Sequence, residues 1–196
     1  AQTFTKGFVT GAGPGGAPHV VTYVSATGAV KSSFYAFSPQ FYGGATVASG
    51  DVNHDGALDV IAGAGPGGGP QVIAFDGVAL AAGQRVPLFS FFAFEQVFAG
   101  GVFVASGDVN NDGYDDMIAA AGAGGGPRVQ VFSGRTGTVL MNFFAYDSAF
   151  RGGVTVASAD VNGDGFDDII TGAGPGGGPH VKVFSGANGA ELYSFF

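Results

Sequence analysis

The stretch Asp160-Val-Asn-Gly-Asp-Gly-Phe-Asp-Asp, residues 160–168, recurs in closely similar form at residues 51–59 and 108–116. Each copy has carboxylate or amide oxygens at positions 1, 3, 5 and 9 and a Gly at position 6. Alternate side chains of a tight loop can converge on one point, and the Gly permits the sharp turn. Because Ca²⁺ prefers six to eight oxygen ligands, each stretch, here called an acidic loop, predicts one calcium site and the chain three. Mg²⁺ fits less well, since it usually keeps several bound waters.

The side chains at these four positions are the predicted metal ligands. They are Asp51, Asn53, Asp55 and Asp59 in the first acidic loop, Asp108, Asn110, Asp112 and Asp116 in the second, and Asp160, Asn162, Asp164 and Asp168 in the third. Asp115 and Asp167 stand at position 8, where the first loop has Leu58, so we expect them to be solvated surface residues.

The acidic loops belong to a longer repeat. Residues 41–49, 98–106 and 150–158 share an opening Phe, a Gly pair and an apolar segment, and a Gly- and Pro-rich segment follows each loop. In the last unit, short apolar or alternating runs at residues 154–158, 169–171, 181–184 and 192–196 predict four strands, and we expect almost no helix. A repeat of this length is typical of propellers and solenoids. We therefore predict an all-β protein, a β-propeller of four-stranded blades.

The chain contains enough sequence for four blades, at about residues 1–37, 38–94, 95–146 and 147–196. Blade 1 lacks an acidic loop, and residues 1–6 are predicted to supply a degenerate first strand. The longer unit has five additional residues near 78–85, in a hairpin loop where insertion costs little. We expect the ring to close at four blades as a monomer, because open strand edges promote association. A larger ring or self-assembly remains the alternative.

Two packing features follow from the repeat. An aromatic pair recurs once in each blade and is expected between blades, at Phe34-Tyr35, Phe91-Phe92, Phe143-Phe144 and Phe195-Phe196. The small residues Ala48, Ala105 and Ala157 suit crowded first strands near a central axis.

Composition narrows the functional classes. Apolar residues make up 46% of the 196 residues, which favours a folded core, and Cys is absent. Eleven of the 15 acidic residues lie in the acidic loops, so three calcium ions would offset most of the formal charge of −8. The seven Lys and Arg are dispersed, which argues against nucleic-acid binding, and no apolar run is long enough for membrane insertion.

The units resemble FG-GAP repeats, the blades of the integrin alpha-subunit propeller and of many bacterial extracellular proteins. The resemblance rests on Phe150 with Gly152, on residues 160–168, and on Gly172-Ala-Gly-Pro. It implies an extracellular or cell-surface β-propeller with calcium in its inter-strand loops. It also implies that position 7 ligates through its carbonyl, at Ala57, Tyr114 and Phe166. An additional Gly follows the closing Gly-Pro, and integrin propellers have seven blades rather than four.

Other interpretations of these motifs fit the sequence less well. The acidic loop half-matches an EF-hand, but position 12 is Ala62, Ala119 or Thr171 rather than Glu, and the flanks read as strands. The Gly11-Ala-Gly-Pro-Gly-Gly segment fits the pattern of a dinucleotide fingerprint but precedes a predicted strand rather than a helix. The polar residues after the second Pro of each unit either line a ligand surface or face water from an edge strand. They are His19, Gln71, Arg128 and His180.

The sequence thus favours a calcium-stabilised extracellular module for adhesion, binding or structure, with an unidentified protein or glycan ligand and no catalysis. The first alternative is a carbohydrate-binding propeller, a lectin or the targeting module of a secreted enzyme. A third reading is a calcium-dependent hydrolase that uses a propeller pocket.

Overall fold

A computed structural model describes residues 7–196, which form β-strands and one short helix. Blade 1 contains β1 (Gly7–Gly11), β2 (His19–Val24) and β3 (Val30–Tyr35). Blade 2 contains β4 (Ala45–Gly50), β5 (Asp59–Ala64), β6 (Gln71–Phe75), α1 (Gly77–Ala81) and β7 (Pro87–Phe92). Blade 3 contains β8 (Val102–Gly107), β9 (Asp116–Ala121), β10 (Arg128–Phe132) and β11 (Val139–Phe144). Blade 4 contains β12 (Val154–Ala159), β13 (Asp168–Ala173), β14 (Val181–Phe184) and β15 (Glu191–Phe195).

Each blade is an antiparallel meander in which strands adjacent in sequence are hydrogen-bonded neighbours. Blades 2, 3 and 4 have four strands, and the described part of blade 1 has three. The strands predicted for blade 4 are confirmed to within two residues at each end. The first strand predicted for blade 1, at residues 1–6, lies outside the described residues.

The additional residues of blade 2 form helix α1 in the hairpin between β6 and β7, so the expectation of almost no helix misses one turn. Oδ1 of Asp76 caps this turn by accepting a hydrogen bond from the Ala79 amide at 2.9 Å. Leu80 is buried in the core between blades 1 and 2. The hydrophobic contact of Leu80 gives the insertion a fixed conformation. No helix in the described range 7–196 is long and apolar enough to cross a membrane.

The sheets stack face to face in chain order, and a hydrophobic cluster fills each of the three interfaces. The first strands β4, β8 and β12 are neighbours between blades, as expected for strands nearest the axis. Successive side chains of a strand point to opposite faces. In β8, Val104 therefore packs toward blade 2, whereas Ala105 packs toward blade 4. We call the face toward the preceding blade the leading face and the face toward the next blade the trailing face.

The recurring aromatic pairs are divided between these interfaces and solvent. The first member packs on an aromatic ring of the next blade, in the pairs Phe34–Phe75, Phe91–Phe132 and Phe143–Phe184, with ring centroids 5.2, 4.4 and 4.8 Å apart. The second member is exposed, at Tyr35, Phe92 and Phe144. The prediction is right for the first residue of these three pairs and wrong for the second, because adjacent strand residues face opposite sides. In the fourth pair both residues, Phe195 and Phe196, are exposed.

The expectation of a ring closed at four blades is wrong for the described residues. Within residues 7–196, no hydrophobic cluster and no hydrogen bond joins blade 4 to blade 1. The four sheets form an open arc with one uncovered face at each end.

Candidate metal centre

The three acidic loops join the first and second strands of blades 2, 3 and 4. The Gly at position 6 has a positive φ in each loop: 85° at Gly56, 87° at Gly113 and 88° at Gly165. Position 4 is also left-handed, at His54 (φ 59°), Asn111 (φ 56°) and Gly163 (φ 76°). These two left-handed residues fold each loop back on itself, which is the sharp turn that the Gly at position 6 predicts.

The oxygens at positions 1 and 3 converge on the backbone at the centre of each loop. The Asp55 amide donates hydrogen bonds to Oδ1 of Asp51 and to Oδ1 of Asn53, both at 3.0 Å. The Asp112 amide donates in the same way to Asp108 and Asn110, at 3.0 Å each, and the Asp164 amide to Asp160 and Asn162, at 3.2 and 2.8 Å. The structure thus brings these two oxygens to one side of the turn in all three loops.

The position 5 carboxylate completes this group. Oδ2 of Asp55 accepts a hydrogen bond from Nδ2 of Asn53 at 3.0 Å, and Oδ1 accepts one from the Ala57 amide at 2.8 Å. The corresponding amides of Tyr114 and Phe166 donate to Asp112 and Asp164 at 3.1 and 3.0 Å. Ala57, Tyr114 and Phe166 therefore lie beside the position 5 carboxylates, and ligation through their carbonyls stays a prediction.

The position 9 carboxylates are the buried ends of the loops. Asp59, Asp116 and Asp168 have no exposed surface. In Asp116, Oδ2 accepts a hydrogen bond from the Val109 amide at 3.1 Å, and Oδ1 accepts one from the Gly134 amide at 3.0 Å. Burial raises the pKa of Asp116 to about 7, although these two hydrogen bonds oppose the rise. Burial likewise raises the pKa of Asp59 to about 6, against the opposing hydrogen bonds from the amides of Gly77, Val52 and Asn53.

One loop has an additional acid nearby that the loop motif does not predict. Carboxylate oxygens of Asp55, Asp59 and Asp76 lie within 4.8 Å of one another, and together they could hold a metal ion. Asp76 follows β6, and Ser133 and Ser185 occupy the same place in blades 3 and 4. The replacement of Ser by Asp in one unit alone is the signal that could have identified it. Three carboxylates are a donor set that suits a hard cation such as Ca²⁺.

The position 8 acids are not the solvated surface residues that the sequence predicts. Oδ2 of Asp115 accepts a hydrogen bond from the Asp51 amide of the preceding blade at 2.7 Å, and Oδ2 of Asp167 accepts one from the Asp108 amide at 3.0 Å. Both side chains are half-buried, and desolvation raises the pKa of each above its usual value. They connect the acidic loops of adjacent blades, a role that Leu58 cannot have.

The polar residues after the second Pro make the same cross-strand contact in every blade. Each pairs with a side chain on the last strand of its blade, in the pairs His19–Ser33, Gln71–Ser90, Arg128–Asn142 and His180–Ser194, at 2.8 to 3.2 Å. This regular pairing supports a role in strand pairing rather than in a shared ligand surface. The Gly-rich segment of blade 1 leads into strand β2, so it does not open a helix as a dinucleotide fingerprint does.

The family comparison concerns the segment that contains the second and third acidic loops. Residues 100–171, which include the whole second acidic loop and the whole third, match the profile of the FG-GAP-like repeat. Residues 100–171 of this chain are therefore similar to the FG-GAP-like repeat. In this repeat region, the acidic loop lies between the first and second strands of a propeller blade.

Solved structures with a similar fold include two rhamnogalacturonan lyases. The exotype rhamnogalacturonan lyase YesX shares 14% identity with a TM-score of 0.54, over 89% of this chain and 34% of that chain. The rhamnogalacturonan lyase YesW shares 15% identity with a TM-score of 0.53, over 90% of this chain and 35% of that chain. At these identities the likeness shows the fold alone, and this chain spans about a third of each enzyme's length.

Proposed function

We propose that this chain is a calcium-stabilised, non-catalytic β-propeller module that acts outside the cell in binding, adhesion or structure. The observation that carries the proposal is the threefold repetition of one loop geometry, in which the oxygens of positions 1 and 3 meet at the position 5 amide. Ca²⁺ sites of extracellular modules bind at about 10⁻⁴ to 10⁻³ M, which suits calcium concentrations outside cells.

Calcium would relieve an electrostatic cost that is present in the fold itself. Each acidic loop crowds three Asp side chains, and the position 9 acid is fully buried. A divalent cation compensates these charges, and it stabilises the folded state because the unfolded chain does not assemble the site. A ligand at a hundredfold excess over its Kd adds about 2.7 kcal/mol to the free energy of unfolding.

Thermal unfolding and metal analysis test this proposal. We expect the melting temperature to rise by many degrees between EGTA and calcium, and three ions to bind per chain. Asp55→Ala, Asp112→Ala and Asp164→Ala should each remove one ion, whereas Asp147→Ala, at an exposed acid outside the loops, should remove none. An unchanged melting temperature, or a stoichiometry of one or four, would contradict the proposal.

A second candidate function is recognition of an acidic glycan, as the targeting module of a secreted enzyme. A cleft of about 300 Å³ on blade 3, beside the start of blade 4, is lined by Phe98, Phe144, Arg128 and Arg151. Arg128 pairs with Glu95 at 2.8 Å, whereas Arg151 donates to the backbone carbonyls of Ser148 and Phe150. An exposed aromatic ring beside a guanidinium suits a sugar that carries a carboxylate. Because two proteins of similar fold are rhamnogalacturonan lyases, rhamnogalacturonan is the acidic glycan to test first.

Titration calorimetry with rhamnogalacturonan and galacturonan oligosaccharides tests this second function. We expect Arg151→Ala to weaken binding about tenfold, a loss of about 1.4 kcal/mol. Arg135→Ala is the matched control, because Arg135 lies outside the cleft, near the ring of Tyr114. Absence of binding, or equal losses in both variants, would contradict glycan recognition at this cleft and leave the calcium proposal intact.

A further inference from the structure

The last strand of blade 1 differs from that of blade 2 at two adjacent residues. In blade 2, Leu88 and Phe89 both pack into the core between blades 2 and 3. Two consecutive residues can face the same side here because Leu88 forms a β-bulge and has no partner on β6. In blade 1 the same bulge carries Lys31, and Ser32 follows it. A cation and a small hydroxyl residue therefore take the places of two large apolar side chains on the trailing face.

These two replacements leave a cleft between blades 1 and 2. The cleft has a volume of about 170 Å³, and residues 31–34 of β3 form its blade 1 wall. The opposite wall is the end of helix α1 and the loop that follows it, which supply Leu80, Gln84 and Arg85. This segment is the insertion of blade 2, and an insertion in a single repeat often lies on the binding face. Both walls are thus specific to this one interface.

The cleft is positively charged, although the protein is strongly acidic. Lys31 lines it from blade 1 and Arg85 from blade 2, and no described acidic residue lines it. Neither cation forms a salt bridge with a carboxylate of residues 7–196, and residues 1–6 contain no Asp or Glu. The chain has a formal charge of −8 and only seven Lys and Arg, so composition does not explain two such cations in one cleft. An anion between them would relieve their mutual repulsion.

Hydrogen bonds of the fold hold both walls of the cleft in place. The hydroxyl groups of Ser32 and Thr22 share a hydrogen bond at 2.7 Å, so the space beside Ser32 is part of the fold. Nη1 of Arg85 donates to the Tyr35 carbonyl of blade 1, which fixes the guanidinium across the interface. A guanidinium edge matches two oxygens of a carboxylate, sulfate or phosphate group, and a Lys ammonium adds a compact charge. The cleft therefore has the donors that an oxyanion requires.

We propose that the cleft between blades 1 and 2 binds the oxyanion group of a small polar ligand, held by Lys31 and Arg85. The oxyanion is a carboxylate, sulfate or phosphate, because all three present oxygens to a guanidinium in the same way. Phe34 and Leu80 give the cleft an apolar side for the carbon skeleton of the ligand, and the Gln84 amide can bond to a hydroxyl group. The cleft shares no residue with the acidic loops or with the cleft on blade 3, so this proposal is independent of both functions proposed above.

Nuclear magnetic resonance titration in calcium buffer tests the site with sugars that differ only at carbon 6. The probes are glucuronate, glucose 6-sulfate, glucose 6-phosphate and neutral glucose, and the anionic sugar that binds identifies the oxyanion. We expect at least one anionic sugar to shift the amide resonances of Ser32, Ser33 and Gly83 saturably, whereas glucose should not. Absence of saturable shifts with all three anionic sugars, or shifts confined to the cleft of Arg128 and Arg151, would overturn the proposal.

Two variants separate the charge of the cleft from its shape. Lys31→Leu introduces the side chain that Leu88 has in blade 2, so it should fold, and it should weaken binding about tenfold. Ser32→Phe introduces the side chain of Phe89 and keeps both cations, and it should weaken binding as well because it fills the cleft. Arg135→Gln is the matched control, since Arg135 is an exposed cation in the corresponding hairpin of blade 3, and it should leave binding unchanged. Unchanged melting temperatures would show that the variants fold. If Ser32→Phe binds as the wild type does, or Arg135→Gln loses as much affinity as Lys31→Leu, the anion is attracted by surface charge alone and the proposal is wrong.

Discussion

Asp51 and Asp115, on neighbouring blades, exchange two hydrogen bonds: the Asp115 amide donates to the Asp51 carbonyl at 3.1 Å, and the Asp51 amide donates to Oδ2 of Asp115 at 2.7 Å. Asp108 and Asp167 repeat this exchange one blade later, at 2.9 and 3.0 Å. The first residue of each of these two acidic loops is thus held by the next blade. Loop geometry and blade stacking are therefore coupled in this protein.

Asp115→Ala should destabilise the protein by about 1–3 kcal/mol, because it leaves the Asp51 amide without its acceptor in a half-buried place. Urea denaturation in calcium measures the loss. Asp147→Ala is the control, because this exposed carboxylate accepts a hydrogen bond from the nearby Ala149 amide, and its loss should stay within about 0.5 kcal/mol. Equal losses in the two variants would mean that the exchange between blades adds nothing to stability.

Gly107→Ala should destabilise the protein by about 1–3 kcal/mol through overpacking. The new Cβ would lie 2.4 Å from Oδ2 of Asp167 and 2.9 Å from Oγ of Ser158. The reverse change at the corresponding place of blade 4, Ala159→Gly, is the control and should cost no more than about 1 kcal/mol, since Ala159 is exposed. A Gly107→Ala protein as stable as the wild type would show that blade 4 can shift without cost.

The sequence predicts the strands and loops within each blade well and the contacts between blades poorly, for one physical reason. Strand positions and the left-handed Gly of each acidic loop depend on local residue patterns, and those predictions are confirmed. The role of Asp115 depends on an amide far away in the chain, which a local pattern does not reveal. Ring closure depends on the angle between sheets, which no short motif specifies. One sequence signal does indicate this contact between blades. The first acidic loop, which has no acidic loop in the preceding blade, carries Leu58 at position 8, where the other two loops carry Asp.

Asp76→Ser should weaken calcium binding to the blade 2 loop about tenfold and leave the other two sites unchanged. The change removes one of three carboxylates within 4.8 Å of one another, and ligand charge tunes calcium affinity. Ser is a good helix N-cap, so helix α1 should persist. Calorimetry of the variant, with Asp112→Ala and Asp164→Ala combined to isolate this loop, gives the affinity. An unaltered affinity would place Asp76 outside the metal site.

The metal-free protein and the calcium-bound protein should respond to pH in opposite directions. Burial raises the pKa of Asp59 to about 6 and that of Asp116 to about 7, above the usual value of 3.8. The folded state therefore holds protons that the unfolded state has released, so stability in EGTA should fall as pH rises from about 4 to about 7. With calcium the ligands must be deprotonated, so the stabilisation by the ion should grow over the same range.

Urea unfolding at several pH values, with and without EGTA, gives the two slopes. Asp116→Asn should flatten the slope in EGTA, since it removes one of the two raised pKa values. A metal-free protein that gains stability between about pH 4 and pH 7 would show that these carboxylates are not held in an unfavourable buried state.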